Sequence, residues 1–266
     1  MDMHNVDFFT TADGLSIAYR FDGEADRPVL VLSNSIATTH EMWEAQMPLL
    51  TERFRVLRYD SRGHGQSGTS IGAYSMDRLG WDVLELLDAL NLKTIAFCGL
   101  SLGGMVGQWL AIHAPERIER LLLCHTAAYL DHDGQWNRLI ELALAPGNLP
   151  SVAEAFLKSW FPENMLAENG DTIREFRRMI LETNPEGLAG CYAAVRDMDL
   201  RRLVQLITAP TLVLGGANDT VTLPEHSRFI AEQIPSAELV LVPAVHMSNV
   251  ETQASFNRIV SHFLLR

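Results

Sequence analysis

The stretch Thr94-Ile-Ala-Phe-Cys-Gly-Leu-Ser-Leu-Gly-Gly104 decides the fold. Its first half is a short, unalternated apolar run of the kind shown by a strand buried on both faces. It leads straight into Gly99-Leu100-Ser101-Leu102-Gly103 and then into helical spacing over residues 104–113. A serine on so sharp a strand-to-helix turn needs neighbours without a Cβ two positions to either side, because the backbones approach closely there. Gly99 and Gly103 supply that room. The turn also puts the Leu102 amide at a helix N-terminus, where an unpaired N–H and the positive end of the dipole favour developing negative charge. A glycine-rich turn alone says little; the strand before it and the helix after it give the pattern its meaning.

Outward from this turn, the strand signature repeats at residues 29–32, 54–59, 118–124, 211–214 and 239–242. Residues 10–20, split by Asp13-Gly14, read as an opening hairpin. Between strands, Met76, Leu79, Val83, Leu86, Leu87 and Leu90 recur at helical spacing behind a capping Ser75. Such alternation predicts an α/β fold with a mostly parallel central sheet and helices on both faces. From about Tyr129 to Leu206 the strand runs vanish, and Pro146-Gly147, Pro150, Phe161-Pro162 and Asn184-Pro185 punctuate what reads as several helices. The expected organisation is therefore a core over residues 1–128 and 207–266, interrupted by an all-helical cap insertion over 129–206. A final helix is expected over 251–265.

A serine hydroxyl is a weak nucleophile at neutral pH, so it needs a base and an orienting carboxylate, here in the chain order Ser, Asp or Glu, His. Asp219 follows the strand at 211–214 and His246 follows the strand at 239–242. Functional residues of open parallel sheets gather at the carboxyl ends of strands, where Ser101, Asp219 and His246 all fall. The other histidines, at 4, 40, 64, 113, 125, 132, 226 and 262, have no comparable placement.

The net charge is −12 from 21 basic and 33 acidic residues, and no Lys/Arg run appears. Nucleic acid is not an expected partner, because phosphate-backbone binding needs a basic footprint. Cys98, Cys124 and Cys191 form no CxxC pair, so neither a disulfide framework nor a zinc site is encoded, and a reducing cytoplasm is the expected location. No H-E-x-x-H pattern exists, and neither metal nor cofactor is expected. The opening MDMHNVDFF has no basic segment leading into an apolar one, and no apolar run approaches the ~20 residues that span a bilayer. A membrane partner is not expected, and no signal sets the oligomeric state.

Taken together, the elbow at residues 99–103, Asp219, His246 and the loop Asp60-Ser61-Arg62-Gly63-His64-Gly65-Gln66-Ser67 resemble the α/β-hydrolases over the whole chain. Ser33-Asn34-Ser35-Ile36, residues 98–111 and Cys124-His125-Thr126-Ala127-Ala128 are similar, more narrowly, to the 3-oxoadipate enol-lactonases. The resemblance implies a serine esterase that opens an anionic enol lactone in the β-ketoadipate pathway of aromatic catabolism, with Ser101, Asp219 and His246 as catalytic triad. A carboxylesterase, another lactonase, or a slow-turnover small-molecule receptor on the same scaffold are the alternatives.

By position, the Ile36 amide is expected to join that of Leu102 in an oxyanion hole. Asn34-Ser35 stands where most of the superfamily has His-Gly, which makes both residues candidates for substrate binding. An anionic substrate on an acidic protein calls for a local cation. Arg138, Arg196 and Arg202 in the helical insertion are the candidates for it, and Trp136 is a candidate pocket wall.

Overall fold

The computed structural model describes residues 6–130 and 134–266. His4 and His132 therefore lie outside the described residues, as does the start of the N-terminal segment. The hairpin expected at the outset is β1 (Asp7–Thr10) and β2 (Ser16–Asp22), paired antiparallel around a turn in which Gly14 takes φ +84°. Six strands follow: β3 (Val29–Ser33), β4 (Arg55–Tyr59), β5 (Ile95–Leu100), β6 (Ile118–Cys124), β7 (Thr211–Gly216) and β8 (Ala237–Val242). One eight-stranded sheet results, in the order β1-β2-β4-β3-β5-β6-β7-β8. Pairing is antiparallel up to β4 and parallel from β4 to β8. Every residue of β5 and β7 is buried, the reason their sequences carry no polar alternation. At the edge, β8 exposes Glu238 and Leu239.

The helices in chain order are α1 (Met47–Leu50), α2 (Met76–Ala89), α3 (Leu102–His113), α4 (Gln135–Leu144), α5 (Leu149–Trp160), α6 (Glu163–Glu168), α7 (Asp171–Glu182), α8 (Pro185–Asp197), α9 (Pro224–Gln233), α10 (Ser248–Glu251) and α11 (Gln253–Leu264). Ser75 caps α2 as its sequence predicts, its Oγ accepting from the Arg78 amide at 3.1 Å. α2 packs on α3 at Gly80, where a Cβ would lie 2.0 Å from the Trp109 ring. The Trp109 indole donates back to Asp77 at 2.6 Å. The final helix expected over 251–265 is α11, while the short α1 and the short α10 just before it were not expected. α9 and a 3₁₀ turn over His40–Gln46 were not expected, and α9 buries only Ser227 and Ile230, too few positions for a visible period.

Helices α4 to α8 occupy the interval between β6 and β7, with no strand among its described residues. Several backbone contacts fasten this region to the sheet side. Gly63 and Gly187 touch backbone to backbone, so that a Cβ on Gly63 would come 2.4 Å from the Gly187 Cα. The Tyr74 amide donates to Gly190 O at 3.1 Å, and Leu200 donates to Ala128 O at 2.8 Å. Trp160, closing α5, accepts from the His246 and Met247 amides at 3.3 Å each.

Candidate active site

β5 delivers Ser101 onto the elbow its sequence predicts, with φ 58° and ψ −116°. That conformation costs a non-glycine residue about 1–3 kcal/mol and persists only where the surroundings hold it. Here the Ser101 amide donates to Cys124 O at 2.9 Å, while its carbonyl accepts from Thr126 Oγ1 at 2.8 Å and from the Met105 amide at 3.1 Å. A Cβ on Gly99 would lie 2.1 Å from Gly103 O, and one on Gly103 would lie 2.2 Å from Ser33 O. Both glycines are thus required by backbone contact, as the motif implies.

Beyond β7 and β8 two loops are pressed together, a Cβ on Gly216 falling 2.2 Å from Val245 O. This contact brings Asp219 against His246. His246 Nδ1–H donates to Asp219 Oδ2 at 2.8 Å, and both side chains are fully buried. Asp219 Oδ1 accepts from the Val221 and Thr222 amides at 2.9 and 3.0 Å, and Oδ2 accepts from Thr222 Oγ1 at 3.0 Å. Burial alone pushes this carboxyl up. The charge of His246 and the hydrogen bonds from two imidazoles outweigh that and hold it well below the usual carboxylate range. The remaining His246 nitrogen, Nε2, is buried without a hydrogen-bond partner among the described residues. A buried acceptor of that kind is what a general base needs in order to take a proton from a neighbouring hydroxyl.

Ser101, Ile36 and Leu102 line one cavity of about 300 Å³. Neither the Leu102 nor the Ile36 amide donates to a backbone acceptor among the described residues, leaving both able to face a developing oxyanion. The turn bearing Ile36 is braced from the loop at residues 60–67. Ala37, at φ 58°, donates its amide to His64 Nε2 at 2.9 Å. Burial depresses the basicity of His64 and keeps that nitrogen an acceptor. His40 in turn holds Asp60, ring Nδ1 to Oδ1 at 2.8 Å.

The walls are apolar: Met105, Leu130, Trp136, Leu139, Phe156 and Trp160 among them, with Tyr192, Ser159, Ser151 and Asn148 as polar members. Trp136, a candidate for the wall, lies in the lining. The arginines do not. Arg138 and Arg202 are exposed, and Arg196 is turned to Asp197 and Asn137 at 2.7 and 2.8 Å. No arginine or lysine lines the cavity among the described residues. A long cationic side chain on the outer face of a helix stays in water unless a partner repays its desolvation.

Asn34 and Ser35 are also corrected as substrate ligands, since neither lines the cavity. Asn34 spends its side-chain amide inside the fold, donating to Tyr59 O at 2.7 Å and accepting from Trp43 Nε1 at 2.9 Å. Ser35 is buried beside Met42.

Sequence reasoning missed His125. It stands at φ 46° directly after β6, fully buried, and its Nδ1–H donates to the same Asp219 Oδ2 at 3.0 Å. His64 was missed for the same reason: both act through residues far off in the chain.

A model of the alpha/beta hydrolase fold matches residues 28–252. Over 256 residues the chain is 36% identical to 3-oxoadipate enol-lactonase 2 of Acinetobacter baylyi, with 96% of each covered. The crystal structure of a hydrolase from Pseudomonas aeruginosa is similar at TM-score 0.97 and 52% identity over 99% of both chains. That of the enol-lactonase from Burkholderia xenovorans is similar at TM-score 0.95 and 35% identity, over 98% of this chain and 100% of the other.

Proposed function

Since the chain belongs to the alpha/beta hydrolase fold family, we propose that it is a serine esterase that opens the ring of 3-oxoadipate enol-lactone to 3-oxoadipate, as part of aromatic catabolism. The observation that carries this reading is the strained Ser101 facing an apolar cavity while Asp219 and His246 are hydrogen-bonded in the chain order the elbow requires. The enol-lactonase names of similar proteins support the choice of substrate.

Asp219 holds His246 with its Nδ1 protonated, which leaves Nε2 to take the Ser101 proton as Oγ attacks the lactone carbonyl. The oxyanion is held by the Leu102 and Ile36 amides, each such donor contributing about 10²- to 10³-fold in rate. The ring C–O bond breaks and the departing enolate oxygen takes the proton from His246. Its tautomerisation to a ketone draws the opening downhill. Water activated by His246 then cleaves the acyl-enzyme and releases the keto-diacid. The helices α4, α5 and α8 act as a cap that excludes water from the lactone ring. The substrate carboxylate points to the cavity rim at Asn148 and exposed Ser151, where water solvates it and no buried cation is needed.

A second reading, an esterase or lactonase for uncharged substrates, is favoured by the same neutral wall. One experiment tests both: kcat and KM for the enol lactone and its methyl ester, with the wild type and Ser101→Ala. The expected outcome is turnover of the acid lactone that falls below about a hundredth in Ser101→Ala. Residual activity above that level overturns Ser101 as nucleophile. Turnover of the methyl ester alone overturns the anionic substrate in favour of the second reading.

A further inference from the structure

His125 has no part in the proton transfers above, yet it is built into them. Asp219 is a carboxylate and can only accept, so the His125 nitrogen that meets its Oδ2 at 3.0 Å carries the hydrogen. The other ring nitrogen, Nε2, lies 2.6 Å from Ser248 Oγ, the first residue of α10. In the neutral ring this nitrogen accepts and the serine hydroxyl donates. The chain Ser248, His125, Asp219 thus repeats the order of serine, imidazole and carboxylate on the far side of the same acid. Ser248 and His125 are both fully buried and outside the cavity lining, so this second array meets no substrate. Oδ2 receives three donors: His246, His125 and Thr222.

We propose that His125 is a positioning residue of the reaction: a neutral Nδ1–H, its tautomer fixed by Asp219 and its ring anchored at the far side by Ser248, takes a share of the Asp219 charge and sets how strongly that charge holds the imidazolium formed at His246. The proposal rests on the Ser101, Asp219 and His246 reading of the site. Burial depresses the basicity of His125, as does the nearby charge of His246, while the Asp219 hydrogen bond works the other way. The balance keeps the ring neutral while His246 takes up protons in each cycle. The other titratable groups that act on this cluster are His226 on α9 and Glu251 on α10, each through the Asp219 charge. His125 is anchored independently of its ring, its amide donating to Leu214 O at 2.7 Å.

The sign follows from the donor. With it removed, more of the carboxylate's charge faces His246, the imidazolium is held more firmly, and a more alkaline solution is needed to free the base. His125→Ala is expected to move the acid limb of the kcat/KM profile for p-nitrophenyl acetate upward by about one pH unit. In His125→Asn the side-chain N–H₂ takes the place of Nδ1–H, and asparagine tolerates the φ of 46°. Its acid limb is expected to stay with the wild type. A merely space-filling role would make both variants less stable and leave both limbs in place.

Proton NMR gives a second readout: two strongly deshielded imidazole N–H signals in the wild type and one in His125→Asn. If His125→Ala does not fold, Ser248→Ala decides, since it removes the hydroxyl that anchors the far side of the ring while keeping the packing, loosens the Nδ1–H from Asp219 and should shift the limb upward by a smaller amount. An unmoved limb in the folded variants lacking the donor or its anchor overturns the proposal, as does a limb shifted equally in His125→Ala and His125→Asn. Failure of the underlying triad is distinguished by Ser101→Ala, which would then still hydrolyse the ester.

Discussion

Ser101 is held in its strained conformation because its own amide and carbonyl are already committed, the amide to Cys124 on β6 and the carbonyl to Thr126 and to Met105 on α3. The geometry therefore fails first where the neighbours gain volume. In Gly103→Ala the new methyl would meet Ser33 and Asn34 backbone, which cannot rotate away. The start of α3 must retreat, carrying the Leu102 amide from its place opposite Ile36. The expected loss in kcat is about 10²-fold or more, since a shift of about 1 Å at reacting groups has that effect. Steady-state kinetics with a folded protein by circular dichroism checks it, and near-normal kcat would refute it. Ser101, the glycines, Asp219 and His246 were legible because their signal is local, a strand end followed by a characteristic residue. His125 and His64 were not, because their meaning lies in partners at Asp219 and Ala37 that only the folded chain brings near. The cationic candidates failed for a related reason: sequence shows that a helix carries an arginine, and only packing shows which way it faces.

At the scale of elements, the buried strands were the most legible, since an unalternated run of β-branched and aliphatic residues has few other homes. Boundaries moved by one or two residues, and β6 kept those expected from sequence, Ile118–Cys124. The helices that line the cavity could be anticipated as helices, but the orientation of each face depended on contacts such as that of Phe156 with Tyr192, ring centroids 6.2 Å apart. The α2–α3 contact allows a test with the site left alone. Gly80→Ala drives a methyl into the Trp109 ring, which is held by its bond to Asp77. Overpacking of this kind costs about 1–3 kcal/mol, against the few tenths to 1 kcal/mol that alanine gains over glycine in a helix. A lower urea midpoint with unchanged KM is expected. Equal or greater stability would show that the tryptophan yields.

For the whole molecule, the buried histidines set the response to acid. Burial is the first cause holding both His64 and His125 below the usual 6.5, so the folded chain refuses protons that the unfolded chain accepts. Stability from this source is complete above pH 6.5 and is lost as the pH falls through and below that value. Asp219, held below 3.8 in the fold, adds a further loss at still lower pH. Chemical denaturation should therefore give a free energy of unfolding that declines from about pH 6.5 downward, and a flat curve to about pH 5 would contradict it.

The pocket itself has walls of two kinds. Tyr192 and Val195 stand on α8, which Gly63 and Gly187 weld to the sheet by a contact with no room for even one carbon. Trp136 and Leu139 on α4, and Val152 and Phe156 on α5, meet the cavity through apolar side chains with no such backbone-to-backbone contact at their positions, and packing of that kind tolerates exchange of one apolar shape for another. Selection for a new acyl group would thus accumulate changes on α4 and α5 while α8 stays constant, so that one half of the pocket records the enzyme's ancestry and the other its diet.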